Sequence, residues 1–404
     1  MHIGIIGGGA SGMAAAIAAA GNPQVRVTLL ERQARLGRKL QATGNGRCNL
    51  TNRNVCLDNY HGDESDFANH ALHHFSVEET LQWFADLGLY TATEESGKVY
   101  PYSDQANSVV DILRFGLEKE NISVVTGCEV TRLRRSTQGF EVGTTADRYF
   151  FDRVIVACGG LAGSKLGGSM SGYQLLRSMG HEMTKLRPAL VQLKSNWSGC
   201  VSLKGVRANC TATITRDGAI WSQGTGEMQF TEYGLSGPVI FEISRDVCQG
   251  KGAWLCTVDL TPELPDDALM HMLWMRKGSV LTTEDLLTGI VHNRLGRVIT
   301  AAAGIKGHTP IAELTADQLQ DVCRLVKRLQ IPLTEPMGMD SAQVTAGGMR
   351  TAQWNPQTME SRLVPGLYAC GEVLDIDGDC GGYNLQWAWS SGRLAGTCAG
   401  GVNR

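Results

Sequence analysis

Residues 3–12, Ile-Gly-Ile-Ile-Gly-Gly-Gly-Ala-Ser-Gly, leave this chain few folds to choose from. An apolar strand, Ile3 to Ile6, runs directly into Gly7-x-Gly9-x-x-Gly12, and a run of small residues opens a helix near Ala10 that reaches Ala20. In a dinucleotide-binding turn, Gly7 supplies the tight bend, Gly9 lets the backbone approach the phosphates, and Gly12 lets helix and strand pack closely. The helix start offers free N–H groups and positive dipole to an anion. A second strand, Val25 to Leu30, ends in Glu31, 19 residues after Gly12, where a carboxylate can bond a pair of ribose hydroxyls. This motif implies an adenine dinucleotide but does not choose between NAD and FAD.

A second strand–loop–helix closes the chain. Gly366-Leu-Tyr-Ala-Cys-Gly371-Glu372 leads through Asp375 to Gly381-Gly382-Tyr383-Asn384-Leu385-Gln386 and a helix from about Leu385 to Ala399. In flavoproteins with two nucleotide-binding elements, such a segment holds the ribityl and ring end of FAD. The positive end of its helix favours the anionic reduced flavin. Between the two lies Thr43-Gly-Asn-Gly-Arg-Cys-Asn49, which has no periodicity of either kind. A backbone of that composition suits a flat ring, with Arg47 as a fixed positive charge. Ala157-Cys-Gly-Gly-Leu-Ala-Gly163 follows a strand but lacks the spacing of a second GxGxxG, so NADH or NADPH is expected only as a transient co-substrate.

A chain of 404 residues calls for more than one core. Helices are expected at about 76–88, 107–119 and 172–179, with strands at 122–125, 129–134, 139–144 and 148–157. From Arg187 to Leu260 the texture is β-rich, with Val201–Val206, Cys210–Ile214 and Trp254–Val258 as strands. Residues 263–329 read as helical, with Leu269–Met275, Glu284–Leu295 and Asp317–Leu329 as candidates. The expected organisation is a split first domain (1–187 and 340–404), an inserted β-rich domain (188–262 and 330–339) and a helical insert (263–329).

A formal net charge of −3 without a basic block argues against nucleic acid as a main partner. No run approaches the ~20 apolar residues of a membrane helix, and the first strand starts too early to leave room for a signal peptide, so a cytoplasmic location is expected. Twelve cysteines contain no Cys-x-x-Cys pair, so neither zinc nor a thiol redox centre is expected. No spacing supports a redox pair between Cys48 and Cys380, and no metal site is expected.

The segments Gly-Gly-Gly-Ala-Ser-Gly12, Gly-Asn-Gly-Arg-Cys-Asn-Leu-Thr-Asn52, Val99-Tyr-Pro-Tyr-Ser103, Tyr233-Gly-Leu-Ser-Gly-Pro238, Val344-Thr-Ala-Gly-Gly348, Thr358-Met-Glu-Ser361 and Gln386-Trp-Ala-Trp-Ser-Ser-Gly392 occur in this order. Together with Gly371-Glu-Val-Leu-Asp375 they resemble a family of bacterial NAD(P)/FAD-dependent oxidoreductases that includes bile-acid 3-oxo enone reductases and aminoacetone oxidases. The resemblance spans essentially the whole chain. It implies an α/β fold: a two-dinucleotide-type, glutathione-reductase-like FAD-binding Rossmann domain, with an inserted β-barrel-like domain carrying a helical insert. It places Gly9 and Ser11 at the pyrophosphate, Glu31 at the ribose, Arg38 and Lys39 near the phosphates, Gly46, Arg47, Cys48 and Asn49 at the flavin, and Gly371, Glu372 and residues 383–386 at the ribityl chain and ring edge. Gly7, Ala10, Gly12, Arg32, Val130, Ala157, Gly159, Asp375 and Gly382 complete the expected FAD contacts. Met170-Ser171-Gly172-Tyr173 departs from the Gly-Asp-Gly-Tyr of many relatives, so Ser171 is given no role.

Three activities remain open at this point. One is reduction of an activated C=C bond of a steroid-like small molecule, driven by NAD(P)H through tightly bound FAD, with Arg47 and Tyr383 as catalytic candidates. Another is oxidation of a small amine such as aminoacetone with release of peroxide. The third is flavin binding without catalysis.

Overall fold

The computed structural model describes residues 1–250 and 252–402, which divide into two units, Met1–Arg187 with Gln343–Arg404, and Pro188–Ala342. The chain thus returns to the first unit three residues later than the 340 boundary expected from sequence. Among the described residues no helix is long and apolar enough to cross a membrane.

The first unit is built on a parallel sheet of β1 (His2–Ile6), β2 (Arg26–Leu30), β3 (Ile122–Val125), β4 (Arg153–Val156) and β5 (Leu367–Ala369), in the spatial order β5-β4-β1-β2-β3. Its central strands are continuous apolar runs. Ile3, Ile5, Val27, Leu29, Val154, Ile155 and Val156 are all fully buried, as a parallel sheet covered on both faces requires. Helix α1 (Ala10–Ala19) follows β1, and α2 (Tyr383–Gly400) follows β5. A methyl group added at Gly392, Gly396 or Gly400 of α2 would fall on the backbone of Ser11, Ala15 or Ala19 of α1. The two helices therefore lie backbone to backbone along matched four-residue repeats, which bulkier side chains would separate. This packing fixes the two nucleotide-binding turns relative to each other.

The helix over 77–86 begins with the expected reciprocal cap: Ser76 Oγ accepts from the Glu79 N–H, and Glu79 accepts from the Ser76 N–H at 2.8 Å. The expected strand 148–157 is in fact two. Arg148–Phe151 completes an antiparallel meander with 130–136 and 139–144, and Arg153–Val156 joins the main sheet as β4. The chain changes sheets at Asp152, whose N–H donates to the His2 carbonyl and whose carboxylate accepts from the His2 N–H at 2.6 Å.

The second unit contains a closed, antiparallel six-stranded barrel ordered 193–195, 234–236, 219–231, 207–216, 254–259, 329–336. Alternation is clear on Arg207–Arg216, where Cys210, Ala212 and Ile214 point inward. The helical stretch 263–329 shares this core: Leu269, Leu273, Leu295, Ile299, Leu319 and Val322 pack in one cluster with Cys256 and Val258 of the barrel.

Three sequence expectations fail in this unit. Val201–Val206 is not a strand, because Gly199–Ser202 forms a helical turn that closes on Leu203. Glu284–Leu295 is not one helix. A short 3₁₀ turn, Thr283–Asp285, is separated by Gly289 (φ +82°) from a helix over Asn293–Ala302 whose first turn is capped by His292. A helix over Pro238–Gln249, missed in the β-rich texture, buries Val239, Ile240, Ile243 and Val247 on one face.

Candidate functional site

At the first turn, the Gly7 N–H donates to the Leu30 carbonyl at 2.8 Å, tying the end of β1 to β2. Side chains at Gly7 or Gly12 would collide with the carbonyls of Ala157 or Gly7, so these two glycines are required by the packing itself. Gly9 is different. It precedes α1, and a methyl there would meet no protein atom within 4 Å. Helix α1 has no side-chain N-cap and no acid in its first turn, so its amino end is presented to a ligand.

Glu31 holds the other side of this turn. One carboxylate oxygen accepts from the Gly8 N–H at 2.7 Å and the other from the Gln33 N–H at 2.7 Å. The carboxylate is thereby oriented while keeping lone pairs free for hydroxyl donors. Gly8, the middle of the three-glycine run, was not singled out from sequence; only the fold shows that its N–H orients Glu31. The two flanking arginines are partly engaged elsewhere, Arg32 with the Gly167 carbonyl at 2.7 Å and Arg38 with Gln33 at 2.9 Å.

The far element is anchored from several directions. Beyond β5, the Gly371 N–H donates to Ser391 Oγ at 3.0 Å and its carbonyl accepts from Trp387 Nε1 at 3.1 Å, both from α2. The Glu372 carboxylate accepts from Lys39 Nζ at 2.7 Å and from the Thr345 N–H at 2.9 Å. Thr345 Oγ1 in turn accepts from the N–H groups of Leu161 and Ala162, both at 2.9 Å. Thr345, Trp387 and Ser391 were missed, because nothing in their local sequence shows which loop they hold. Ala157 is buried at the end of β4, and Gly159 faces open space beside it. Helix α2 starts on Gly382 (φ +103°), also without a side-chain cap or a first-turn acid.

The intervening loop is strained and open. Gly44, Asn45, Gly46 and Cys48 all have positive φ, and a methyl at Gly46 would meet nothing within 4 Å. Asn49 Oδ1 is buried without a hydrogen-bond partner among the described residues and lies beside Gly382. Two uncapped helix starts, open glycines at 9, 46 and 159 and an orphaned amide oxygen are what an extended dinucleotide would require of its cradle.

Several expected contacts are redirected. Arg47 is not a free positive charge: its guanidinium pairs with Asp104 and, at 3.1 Å, with Glu94, and lies over the Tyr100 ring at 3.9 Å. The Gln386 side chain, fully buried, accepts from Thr51 Oγ1 at 2.6 Å, and both hydrogens of its Nε2 are directed into a cluster of the Phe75 carbonyl, Thr80 Oγ1 and Ser390 Oγ. Asn384 clamps the preceding loop, accepting from the Gly378 N–H and donating to the Gly378 and Asp379 carbonyls. Tyr383 is buried with its ring edge-on to Tyr60. Val130 and Asp375 are likewise buried; the Asp375 carboxylate accepts from the Asp63 N–H at 3.2 Å, and burial raises its pKa above the usual carboxylate range. Leu385 is half-buried on the first turn of α2. Burial pushes the Cys48 thiol up to about 12.

Comparison with known proteins places this geometry. Residues 1–398 match the HI0933-like protein Rossmann domain family. The chain is 42% identical over 404 residues to the 3-dehydro-bile acid delta(4,6)-reductase of Clostridium scindens, covering 98% of both chains. It is 30% identical over 393 residues to the ribosomal RNA dihydrouridine synthase of Escherichia coli, covering 96% of this chain and 95% of that one. Among solved structures, Escherichia coli quinol fumarate reductase FrdA aligns with a TM-score of 0.51 at 16% identity, over 99% of this chain and 70% of that one, a likeness of fold alone. The expected fold class, an FAD-type Rossmann domain with a barrel-bearing insertion, is borne out. On this full-length match the chain belongs to the HI0933-like Rossmann-domain family.

Proposed function

We propose that the protein is an FAD-dependent oxidoreductase that saturates a carbon–carbon double bond conjugated to a carbonyl in a steroid-like small molecule of the 3-oxo bile-acid class. NADH or NADPH serves as the transient reductant. The observation that carries this reading is the full-length 42% identity to a bile-acid delta(4,6)-reductase, joined to a cradle whose open glycines and uncapped helices suit an extended dinucleotide.

When bound, FAD supplies the site that accepts hydride from a nicotinamide and donates it to a double bond. The chain's own contribution is placement and electrostatics. Glu31, oriented by Gly8 and Gln33, would receive the ribose hydroxyls. Gly9, Ala10 and Ser11 at the start of α1 would carry the pyrophosphate on N–H groups and helix dipole. Glu372, fixed by Lys39 and Thr345, would meet the polyol. The amino end of α2, 18 residues long, favours negative charge on the ring edge set against it.

A second reading comes from the 30% identity to ribosomal RNA dihydrouridine synthase, whose name also describes saturation of a C=C bond. RNA binding calls for a basic surface. The second unit instead carries 14 Lys and Arg against 16 Asp and Glu, which favours the small molecule.

The test is anaerobic turnover with NADH or NADPH. A 3-oxo-4,6-diene bile acid should lose its dienone absorbance in step with nicotinamide oxidation. Formation of dihydrouridine in ribosomal RNA with an inert dienone would move the assignment to the second reading. Peroxide from aminoacetone alone would move it to an amine oxidase.

A further inference from the structure

Saturating a conjugated C=C bond takes one hydride and one proton. The hydride adds to the β-carbon, the π-electron pair moves to the carbonyl oxygen as an enolate, and a proton must then reach the α-carbon. The two catalytic candidates read from sequence do not suit the proton's source: Arg47 is held by two carboxylates and Tyr383 is buried. The first unit contains another arrangement that does.

His61 lies on a two-residue strand, Tyr60–His61, paired antiparallel with Asp377–Gly378 in the loop that leads to α2. Its Nε2 lies 2.7 Å from Asp379 Oδ1. The other Asp379 oxygen accepts from Asn59 Nδ2 at 3.1 Å, the Asp379 N–H donates to the Asn59 carbonyl at 3.0 Å, and the Asp379 carbonyl accepts from Asn384 Nδ2 at 3.2 Å. Asp379 is therefore fixed on every polar atom, more than a half-exposed carboxylate needs for a surface ion pair. Asn384, on the first turn of α2, ties the Asp379 backbone to the helix start that the proposed flavin ring edge would face. His61 Nδ1 has no hydrogen-bond partner among the described residues, and its side chain is 31% exposed, open to proton exchange.

The geometry points to His61 as the group that supplies the proton in double-bond reduction, from Nδ1, with Asp379 as the positioning residue that accepts from Nε2 and fixes the orientation of the ring. This rests on the reductase reading above. The balance is one proton from His61 to the substrate α-carbon, recovered from solvent, for each hydride given by the reduced cofactor. The remaining charged and titratable neighbours are Asp377 opposite His61, Asp63 two residues along, which pairs with Arg350 at 3.5 Å, and Tyr60 with nearby Cys56.

The test separates the half-reactions. Holoenzyme is reduced anaerobically with one equivalent of dithionite and mixed with the 3-oxo-4,6-diene bile acid. In His61→Gln, flavin reoxidation by the dienone should slow about 100-fold or more, while the flavin spectrum and the rate of reduction by NAD(P)H stay as in the unsubstituted protein. Asp379→Asn should slow the same step about tenfold. Added imidazole should restore rate to His61→Ala, and the wild-type solvent isotope effect on reoxidation should change in His61→Gln. If wild-type reduced enzyme is reoxidised by the dienone and His61→Gln matches it, the assignment of His61 is overturned while the reductase reading stands. Failure of imidazole rescue with a folded, FAD-loaded His61→Ala also counts against it. If the wild-type reduced enzyme is not reoxidised by the dienone at all, the reductase reading falls and takes this proposal with it.

Discussion

Lys39 Nζ lies 2.7 Å from Glu372 Oε2, joining residues 333 positions apart and binding the loop after β2 to the turn after β5. The two ends of the pair are not equivalent. Lys39→Met removes a partly exposed ion pair and should cost no more than about 1 kcal/mol. Glu372→Ala also strips the Thr345 N–H of its acceptor and should cost about 1–3 kcal/mol. Urea unfolding of the two variants measures the difference, and equal losses would show that the Thr345 bond contributes nothing.

Gly9 and Gly12 should separate cofactor binding from folding. Gly9→Val projects into open space and should yield folded protein without bound FAD, seen as a normal far-UV spectrum with no 450 nm absorbance. Gly12→Val drives a side chain into the Gly7 carbonyl and should cost upward of ~3 kcal/mol, seen as loss of soluble protein. A yellow, stoichiometrically loaded Gly9→Val would remove the first turn from the cofactor site.

Burial pushes the thiols of Cys48 and Cys370 up to about 12. They should therefore stay protonated and unlabelled by iodoacetamide at pH 8, while exposed Cys56 reacts. Peptide mass mapping reads this directly. Rapid labelling of Cys48 in the native protein would reopen a redox role for it.

Asp375 has a pKa raised by burial, so the folded state holds its proton more tightly than the unfolded chain does. Its contribution is fully present below the ordinary carboxylate pKa and is lost as pH rises through the raised folded value. Asp375→Asn keeps an acceptor for the Asp63 N–H but cannot ionise. Relative to the unsubstituted protein it should gain stability as pH rises from 4 to 7. Thermal unfolding across that range checks the sign; a variant less stable at pH 7 than at pH 4, relative to wild type, would contradict it.

Legibility in the sequence followed the range of each interaction. The strand–glycine–helix units at 3–20 and 367–400 and the Ser76–Glu79 cap were readable because their determinants are neighbours in the chain. The Pro238–Gln249 helix was also locally encoded, with Pro at its first position and apolar residues at 239, 240, 243 and 247, yet the surrounding short strands masked it. Glu284–Leu295 failed because an apolar pattern continued across Gly289, where the backbone cannot stay helical. Arg47 was misread for another reason. Its partners Glu94 and Asp104 lie 47 and 57 residues away, and only the fold brings them to it. The four-residue spacing of Gly392, Gly396 and Gly400 went unread, because its meaning depends on Ser11, Ala15 and Ala19 of a helix almost 400 residues upstream.

In the proposed reaction, FAD held between Gly9 and the start of α2 would give hydride to a conjugated double bond. Anaerobic single turnover tests it most directly: the purified protein, reduced to the colourless flavin, is mixed with a 3-oxo-4,6-diene bile acid and followed at 450 nm. Recovery of the oxidised flavin spectrum is expected, with one equivalent of dienone consumed per FAD. A flavin that stays reduced in excess dienone, yet recovers at once on admission of oxygen, would contradict it.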